Sequence, residues 1–430
     1  MKPRDPRSED RDSGAFSLED LKAEAPDRLY AKDVEALWRD YGEVLAPGKI
    51  VAYRQMGLDA VFGRREGVVF ENLGRPGRWI NCHCNAGVFN LGHRNPRIIE
   101  AVQRSLDHLD IGNHHLVSPW RAALARRLAA STDGRLPAVV FAVAGGEAMD
   151  LAIKVCRGTT GRPRVISVAG GYHGHTGLAM AVGDRAYRDP FGIFIPGFEQ
   201  VPFDDLGALD AAIDDSVAAV VLEPIPATLG MPMCADDYLP GVERLCRDRG
   251  ARLILDEVQT GLGRTGKMWA FQHWDLTPDA VVTGKGLSGG VYPISATLLS
   301  EELLALFNEY PFAHISTFGG AEPGCVAALT VLDILEEPGF LERVLELSDR
   351  IADRIERLPL GLRRKGLMMG VEFGRPEAAI AATQALYREG VFAVWAGNDP
   401  SVLQFLPPLV ISDDELETVL TIFERLWGRG

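Results

Sequence analysis

The chain has 430 residues, 47% of them hydrophobic and 8% aromatic, and carries a formal net charge of −14. That is a globular composition, able to bury a large core and long enough for more than one domain. So acidic a chain speaks against a nucleic-acid or anionic-membrane surface, since both reward basic patches, and no apolar run approaches the roughly 20 residues of a membrane span.

The first 16 residues, dense in both charges and in proline, cannot bury enough apolar surface to order themselves and read as a tail. The N-terminus also lacks an apolar signal core. Residues 17–79 carry short helical and extended patterns, with a helix expected near Asp33 to Tyr41 and another from about Pro96 to Leu109. From Ser118 the texture becomes regular: helix PWRAALARRLAAS, strand AVVFAVA, helix EAMDLAIKVCR, strand RVISVA, strand VAAVVLEP and helix DDYLPGVERLCRDRG. Strands alternating with helices of this length predict crossover units and a mostly parallel sheet covered by helices on both faces. Beyond Thr317 come two long amphipathic helices, a strand-like GLMMGVEF, a further strand at Gly390 to Trp395, and a last helix opened by Ser412 with Glu415 three residues on, a capping box. The resulting expectation is an α/β protein with a large domain over residues 80–322. A small α+β domain is built from both chain ends, residues 17–79 joining residues 323–430.

Six cysteines scattered through a long chain fit reduced, packed thiols in a cytoplasmic protein. Cys82-His83-Cys84 invites a metal reading, but in a strand the two thiols share a face while His83 points away, and no second ligand cluster completes a tetrahedral site. No metal is expected.

The chemistry concentrates in Arg252 to Ser288. Two apolar runs, Leu253 to Leu255 and Ala280 to Val282, suit buried strands and end on Asp256 and Lys285. In an open parallel sheet ligands bind outside the carboxyl ends of the strands, so a carboxylate and an amine point into one place. Strand AVVFAV runs into Gly145-Gly146 and straight into a helix, which leaves unobstructed N–H groups for a phosphate dianion or forms a plain tight turn. Tyr172 and His173 follow the strand RVISVA, where an aromatic can stack on a planar ring or cap the core. GLGRTGKM matches GxGxxG and nearly matches a Walker A loop. It lacks the strand–loop–helix context either motif needs, and Met268 replaces the hydroxyl that would bind magnesium.

GGEAMDLAIK, YHGHT, LEPI, LILDEVQTGLGRTG, TGKGLSGGVYPISA and STFGG, in this order and spacing, resemble the class III, fold type I, pyridoxal-phosphate aminotransferases, and SGGVYP is most similar to the ornithine enzymes. The resemblance covers roughly Ile80 to Leu329. It implies pyridoxal 5'-phosphate as cofactor, Lys285 as its Schiff-base amine and proton shuttle, and Asp256 as the partner of the ring nitrogen. It further implies Val258 and Tyr172 on the two ring faces, His173 beside them, Gln259 at the ring oxygen and Gly145 and Gly146 at the phosphate. Thr317 would reach the phosphate of the neighbouring subunit, which makes a homodimer part of the site. Arg264 is open between an ionic anchor for its loop and a surface arginine with no role.

Departures from the family pattern fall on the substrate side. Gln404 stands where an arginine usually precedes FLPPL, His175 replaces the arginine of YHGRT, and EPIQGEGG has become EPIPATLGMP after Glu223. Neither replacement can form a bidentate charged pair with a carboxylate. The expected reaction is therefore transfer of an amino group from an amino-acid donor to an aldehyde or ketone that lacks the usual α-carboxylate grip, in a specialised biosynthetic setting. An aminomutase or racemase of the same fold, an ordinary ornithine, acetylornithine or 4-aminobutyrate aminotransferase, and a non-catalytic cofactor-binding module are the competing readings.

Overall fold

The computed structural model describes residues 16–428 except 46, 113, 114 and 193. The tail expected over residues 1–16 thus lies almost wholly outside the described residues. A seven-stranded sheet forms the centre, running from one edge to the other through Ala138–Ala142, Ser295–Leu299, Ala280–Thr283, Arg252–Asp256, Val217–Leu222, Arg164–Val168 and Phe198–Val201. The last five of these run parallel to one another. Ser295–Leu299 is antiparallel to both of its neighbours, so two reversals return Ala138–Ala142 to the common direction.

Composition explains the layering. Val217–Leu222 is Val-Ala-Ala-Val-Val-Leu, buried along its whole length, as a strand covered on both faces must be. Gly145–Thr160 packs on one face with Met149, Leu151, Ile153 and Val155 fully or almost fully buried. Its end at Gly161, in the left-handed region, is a conformation that costs glycine little. On the other face Glu322–Leu335 and Pro119–Ala130 contribute Leu332, Leu124 and Leu128 to the larger core.

Two four-stranded sheets flank this centre. Phe62–Glu66, Val69–Asn72 and Arg78–Asn81 form an antiparallel meander to which Val391–Phe392 adds in parallel. Val394–Ala396 then belongs to a different sheet, with Asp399–Phe405, Met368–Glu372 and Gly361–Lys365. The single strand expected over Gly390 to Trp395 is thus two strands, and Ala393 is the step between sheets. The capping box at Ser412 forms as its spacing predicts, opening Asp413–Trp427.

Cys84 departs from its expected place. The strand ends at Asn81, and Cys84, Asn85 and Ala86 all take positive φ (52°, 48° and 56°), so the two thiols are not alternate residues of a strand. All six cysteines are free. Among the described residues no helix is long and apolar enough to cross a membrane.

Candidate active site

Five of the six strands that run toward the same end of the central sheet deliver a polar or glycine residue there, the edge strand Phe198–Val201 being the exception. Asp256 is the last residue of its strand and pairs across to Val282, which puts Lys285 three residues beyond that partner, just past the neighbouring strand and at the start of a short 3-10 turn. Glu223 directly follows Val217–Leu222, Tyr172 and His173 follow Arg164–Val168, and Gly145 opens its helix three residues after Ala142. These residues, with Gly146, His175, Val258 and Gln259, line one cavity of ≈ 380 Å³.

Hydrogen bonds fix the polar groups relative to one another. Asp256 Oδ2 lies 2.8 Å from His173 Nδ1, and its Oδ1 accepts the Val258 N–H at 3.0 Å. An ionised carboxylate only accepts, so His173 Nδ1 carries the proton and donates. Burial alone would push His173 down, but the bond to Asp256 and the charges of Asp256 and Glu223 outweigh it and raise it. Lys285 Nζ donates to Gln259 Oε1 at 2.7 Å. Burial pulls Lys285 below the ordinary lysine value, partly opposed by Asp256 and Glu223. Glu223 accepts from the Tyr172 and Ala227 N–H groups at 3.1 and 3.2 Å, and burial raises its carboxyl.

Two buried polar nitrogens on the wall, Gln259 Nε2 and His173 Nε2, have no partner. A buried polar group without a partner costs free energy unless something else occupies the cavity. Space is equally specific. A Cβ built on Gly146 would meet Thr176 Oγ1 at 2.9 Å, and one on Gly174 would meet Gly146 Cα at 2.7 Å. The turn before Gly145–Thr160 is therefore a bare backbone cradle, with no side-chain cap on its N-terminal N–H groups. Such a cradle suits a phosphate, and Gln259 Nε2 suits a ring oxygen, so the residues present fit pyridoxal phosphate.

Not every residue singled out in the sequence comes to this cavity. Thr317 is exposed and away from its wall, next to Ser316 and Gly319, which line a separate cavity of ≈ 310 Å³ with Phe312, His314 and Ile315. Gln404 is buried in Asp399–Phe405, where its Nε2 donates to the Trp395 carbonyl at 3.4 Å, and it too is off the wall. Thr176, Gly174 and Thr228 line the cavity although motif reading had not picked them. Thr176 and Gly174 stand inside YHGHT, where the aromatic and the charge drew attention first. Arg264 is neither on the surface nor in an ion pair with a carboxylate. It is fully buried, and its guanidinium donates to the carbonyls of Leu367 (3.1 Å) and Pro407 (2.7 Å) and to the Asn90 side chain. GLGRTGK is thus a loop locked to the C-terminal sheet, followed by the short 3-10 turn Ala270–His273 and no α-helix.

A lysine and a carboxylate at adjacent strand ends, a glycine cradle at a helix start and unpaired polar nitrogens beside them define an α/β enzyme built around an electron-sink cofactor. Comparison with known proteins gives the family. The profile described as Aminotransferase class-III matches residues 54–426, and the chain belongs to that family: it is a pyridoxal-phosphate aminotransferase. An uncharacterized aminotransferase of Archaeoglobus fulgidus is 48% identical over 386 residues, spanning 88% of this chain and 91% of that protein. Among solved structures, an ornithine aminotransferase from Toxoplasma gondii is similar with a TM-score of 0.85 at 27% identity, covering 96% of this chain and 98% of that one. The acetylornithine aminotransferase from Elizabethkingia anophelis has a TM-score of 0.76 at 27% identity, covering 88% and 98%.

Proposed function

We propose that this aminotransferase moves an amino group between an amino-acid donor, such as glutamate or alanine, and a carbonyl compound that has no carboxylate beside its reacting carbon. The observation that carries the reading is the charge of the cavity wall. Among the described residues lining it, Lys285 is the sole lysine or arginine, and Glu223 and Asp256 are both acidic. A substrate carboxylate would meet no guanidinium and two like charges. The similar structures include an ornithine and an acetylornithine aminotransferase. This chain has Gln404 and His175 where such enzymes usually carry arginine, and neither makes up the loss: Gln404 is turned to a backbone carbonyl.

Bound pyridoxal phosphate supplies a carbonyl that takes an amine and a ring that takes up the electron pair of a broken C–H bond. In this reading Gly145 and Gly146 offer N–H groups to the phosphate, Val258 and Tyr172 cover the ring faces, and Gln259 Nε2 donates to the ring oxygen. Asp256 would keep a proton on the ring nitrogen of the bound cofactor. His173 fixes the orientation of that carboxylate by the 2.8 Å bond. Lys285 Nζ, favoured in its neutral form by burial, takes the proton from the substrate's amine-bearing carbon.

Half-reactions of the cofactor-loaded enzyme test the proposal. Uncharged-tail primary amines should convert the cofactor to its aminated form with kcat/KM about tenfold or more above that of ornithine, acetylornithine or 4-aminobutyrate, the scale of one lost charged hydrogen bond. Preference for those amino acids by the same margin would overturn it. Release of a keto acid from glutamate or alanine separates transfer from isomerisation.

A further inference from the structure

Behind the wall of the catalytic cavity stands Tyr187, half-buried in the four-residue helix Arg185–Arg188. The segment that carries it is pinned to the turn from which Tyr172 leaves its strand. Asp184 Oδ2 accepts the Gly170 N–H at 3.0 Å, the Asp184 N–H donates to the Gly171 carbonyl at 2.9 Å, and Asp184 Oδ1 caps the helix by accepting the Ala186 N–H at 2.9 Å. Backbone therefore fixes Tyr187 relative to Tyr172.

Two residues of the wall rest on its ring. Tyr187 meets Tyr172 edge-to-face with ring centres 5.2 Å apart and meets His175 in the same way at 5.7 Å, while Tyr172 and His175 meet at 5.3 Å, so each of the three rings touches the other two. Tyr172 and His175 both line the cavity that contains Lys285. Among the described residues the His175 ring has no hydrogen-bond partner, and these two ring contacts are what hold it. The Tyr187 hydroxyl reaches the other way. Gly397 leaves it room, an added Cβ there lying 3.4 Å from the hydroxyl oxygen, and it donates to Asn398 Oδ1 over a long 3.5 Å. Asn398 in turn donates from Nδ2 to the Gly170 carbonyl and from its backbone to the Thr228 carbonyl, both at 2.8 Å. Thr228 lines the cavity too.

We infer that Tyr187 is a specificity-determining residue of this aminotransferase: its ring holds His175 and Tyr172 in place on the wall of the catalytic cavity, and so sets the room that an amine or carbonyl compound finds there. It is a positioning residue, since it acts through two neighbours and does not itself line the cavity. The inference goes beyond the proposed function and does not depend on which substrate is used, because His175, Tyr172 and Lys285 line one cavity in either case. An edge-to-face pair is worth about twofold to tenfold in an equilibrium, and the Tyr187 ring supplies two of the three pairs. Its hydroxyl matters less, since 3.5 Å is at the limit of a hydrogen bond. The reacting groups are held from elsewhere, Lys285 by Gln259 and Asp256 by His173 and Val258. Loosening the aromatic corner therefore weakens substrate binding and spares proton transfer.

Single-turnover kinetics of the cofactor-loaded enzyme read the corner, with whichever of 2-phenylethylamine and ornithine the wild-type protein converts faster. Tyr187→Met replaces the ring by a flexible side chain that can fill the gap. It should raise the half-saturating substrate concentration by about fivefold to tenfold, with the limiting rate within about twofold of wild type. Tyr187→Phe keeps both ring pairs and should match wild type in both quantities. His175→Ala should also raise half-saturation, and the double variant with Tyr187→Met should lose clearly less than the product of the two single effects, because both changes break one contact. A purely structural Tyr187 would instead lower thermal stability and limiting rate together, and its effect would multiply with that of His175→Ala. Multiplying effects, unchanged half-saturation in a folded Tyr187→Met, or a Tyr187→Phe protein with severalfold weaker half-saturation overturns the inference; the last of these reads out even if Tyr187→Met does not fold. Preference of the wild-type enzyme for ornithine would overturn the proposed function and leave this test intact.

Discussion

At the scale of single residues, the site is governed by how four ionisable groups share one buried space. Lys285 must be neutral to take a proton, and burial favours that form, while Asp256 and Glu223 pull the other way. The direction of a pH effect follows. A lysine held below its ordinary value loses its proton earlier as pH rises, so the acid-side limb of the half-reaction profile lies below that of a solvated lysine. Removing the Glu223 charge removes one of the two influences that favour the cation. Glu223→Gln should therefore move the limb to lower pH, read from kcat against pH in single turnover. A limb that moves to higher pH would show that Glu223 does not act on Lys285 through its charge. Such couplings are invisible in a linear chain, because Glu223, Asp256 and Lys285 are placed side by side only by strand order. What was legible was the residue type at each strand end. Arg264 illustrates the converse: nothing in GLGRTGK signals a guanidinium with zero exposure bonded to carbonyls more than a hundred residues away.

At the scale of elements, the helix Gly145–Thr160 offers a controlled comparison because glycines at positive φ bear on both of its ends. Gly174 has φ +122° and packs against Gly146 at the helix start, whereas Gly161 has φ +68° at the helix end with nothing within 4 Å of its absent Cβ. Alanine at either position costs stability through the backbone, by more than the roughly 0.4–1 kcal/mol that a compatible Gly→Ala change would gain. Only Gly174→Ala also pushes a methyl into the cradle. It should release cofactor on dialysis at least about tenfold more readily than Gly161→Ala, measured by the visible absorbance retained; equal loss from both would mean that the cradle is not where the phosphate sits. The turn was legible as Gly-Gly between an apolar run and a helical pattern, which reads equally as a plain tight turn; only the resemblance of GGEAMDLAIK to the family motif favoured a phosphate there. Other elements were not. Ser295–Leu299 is buried along its length, and a buried strand looks the same in a sequence whether it runs parallel or antiparallel. Phe198–Val201 sets Glu199 and Gln200 side by side in a four-residue edge strand, too short and polar to register as sheet. The step at Ala393, where one extended run changes sheets, leaves no mark in residue type.

At the scale of the whole molecule, one face of the chain is unsuited to water. Phe312 is 81% exposed, Ile315 and Phe318 about half exposed, and Val117 almost wholly so. The segments are contiguous: His115, Phe312 and Ile315 line one cavity, and Phe318 lies 3.7 Å from where a Cβ of Gly112 would be. A patch of this kind marks an association surface. Thr317 lies in the same loop, exposed and off the wall of its own chain's catalytic cavity. Both facts follow if the protein is a homodimer in which the loop crosses to the partner and Thr317 reaches the phosphate there. Two substitutions separate association from cofactor contact. Phe312→Asp places a charge in the patch and should convert a dimer to a monomer in sedimentation velocity, with cofactor retention falling alongside. Thr317→Ala removes one hydroxyl and no large apolar side chain, so the dimer should persist while cofactor affinity drops by about tenfold, the worth of one hydrogen bond to a charged group at the low end of its range. A Phe312→Asp protein that remains dimeric places the interface elsewhere. A dimeric Thr317→Ala protein with undiminished affinity leaves the phosphate to Gly145 and Gly146 alone.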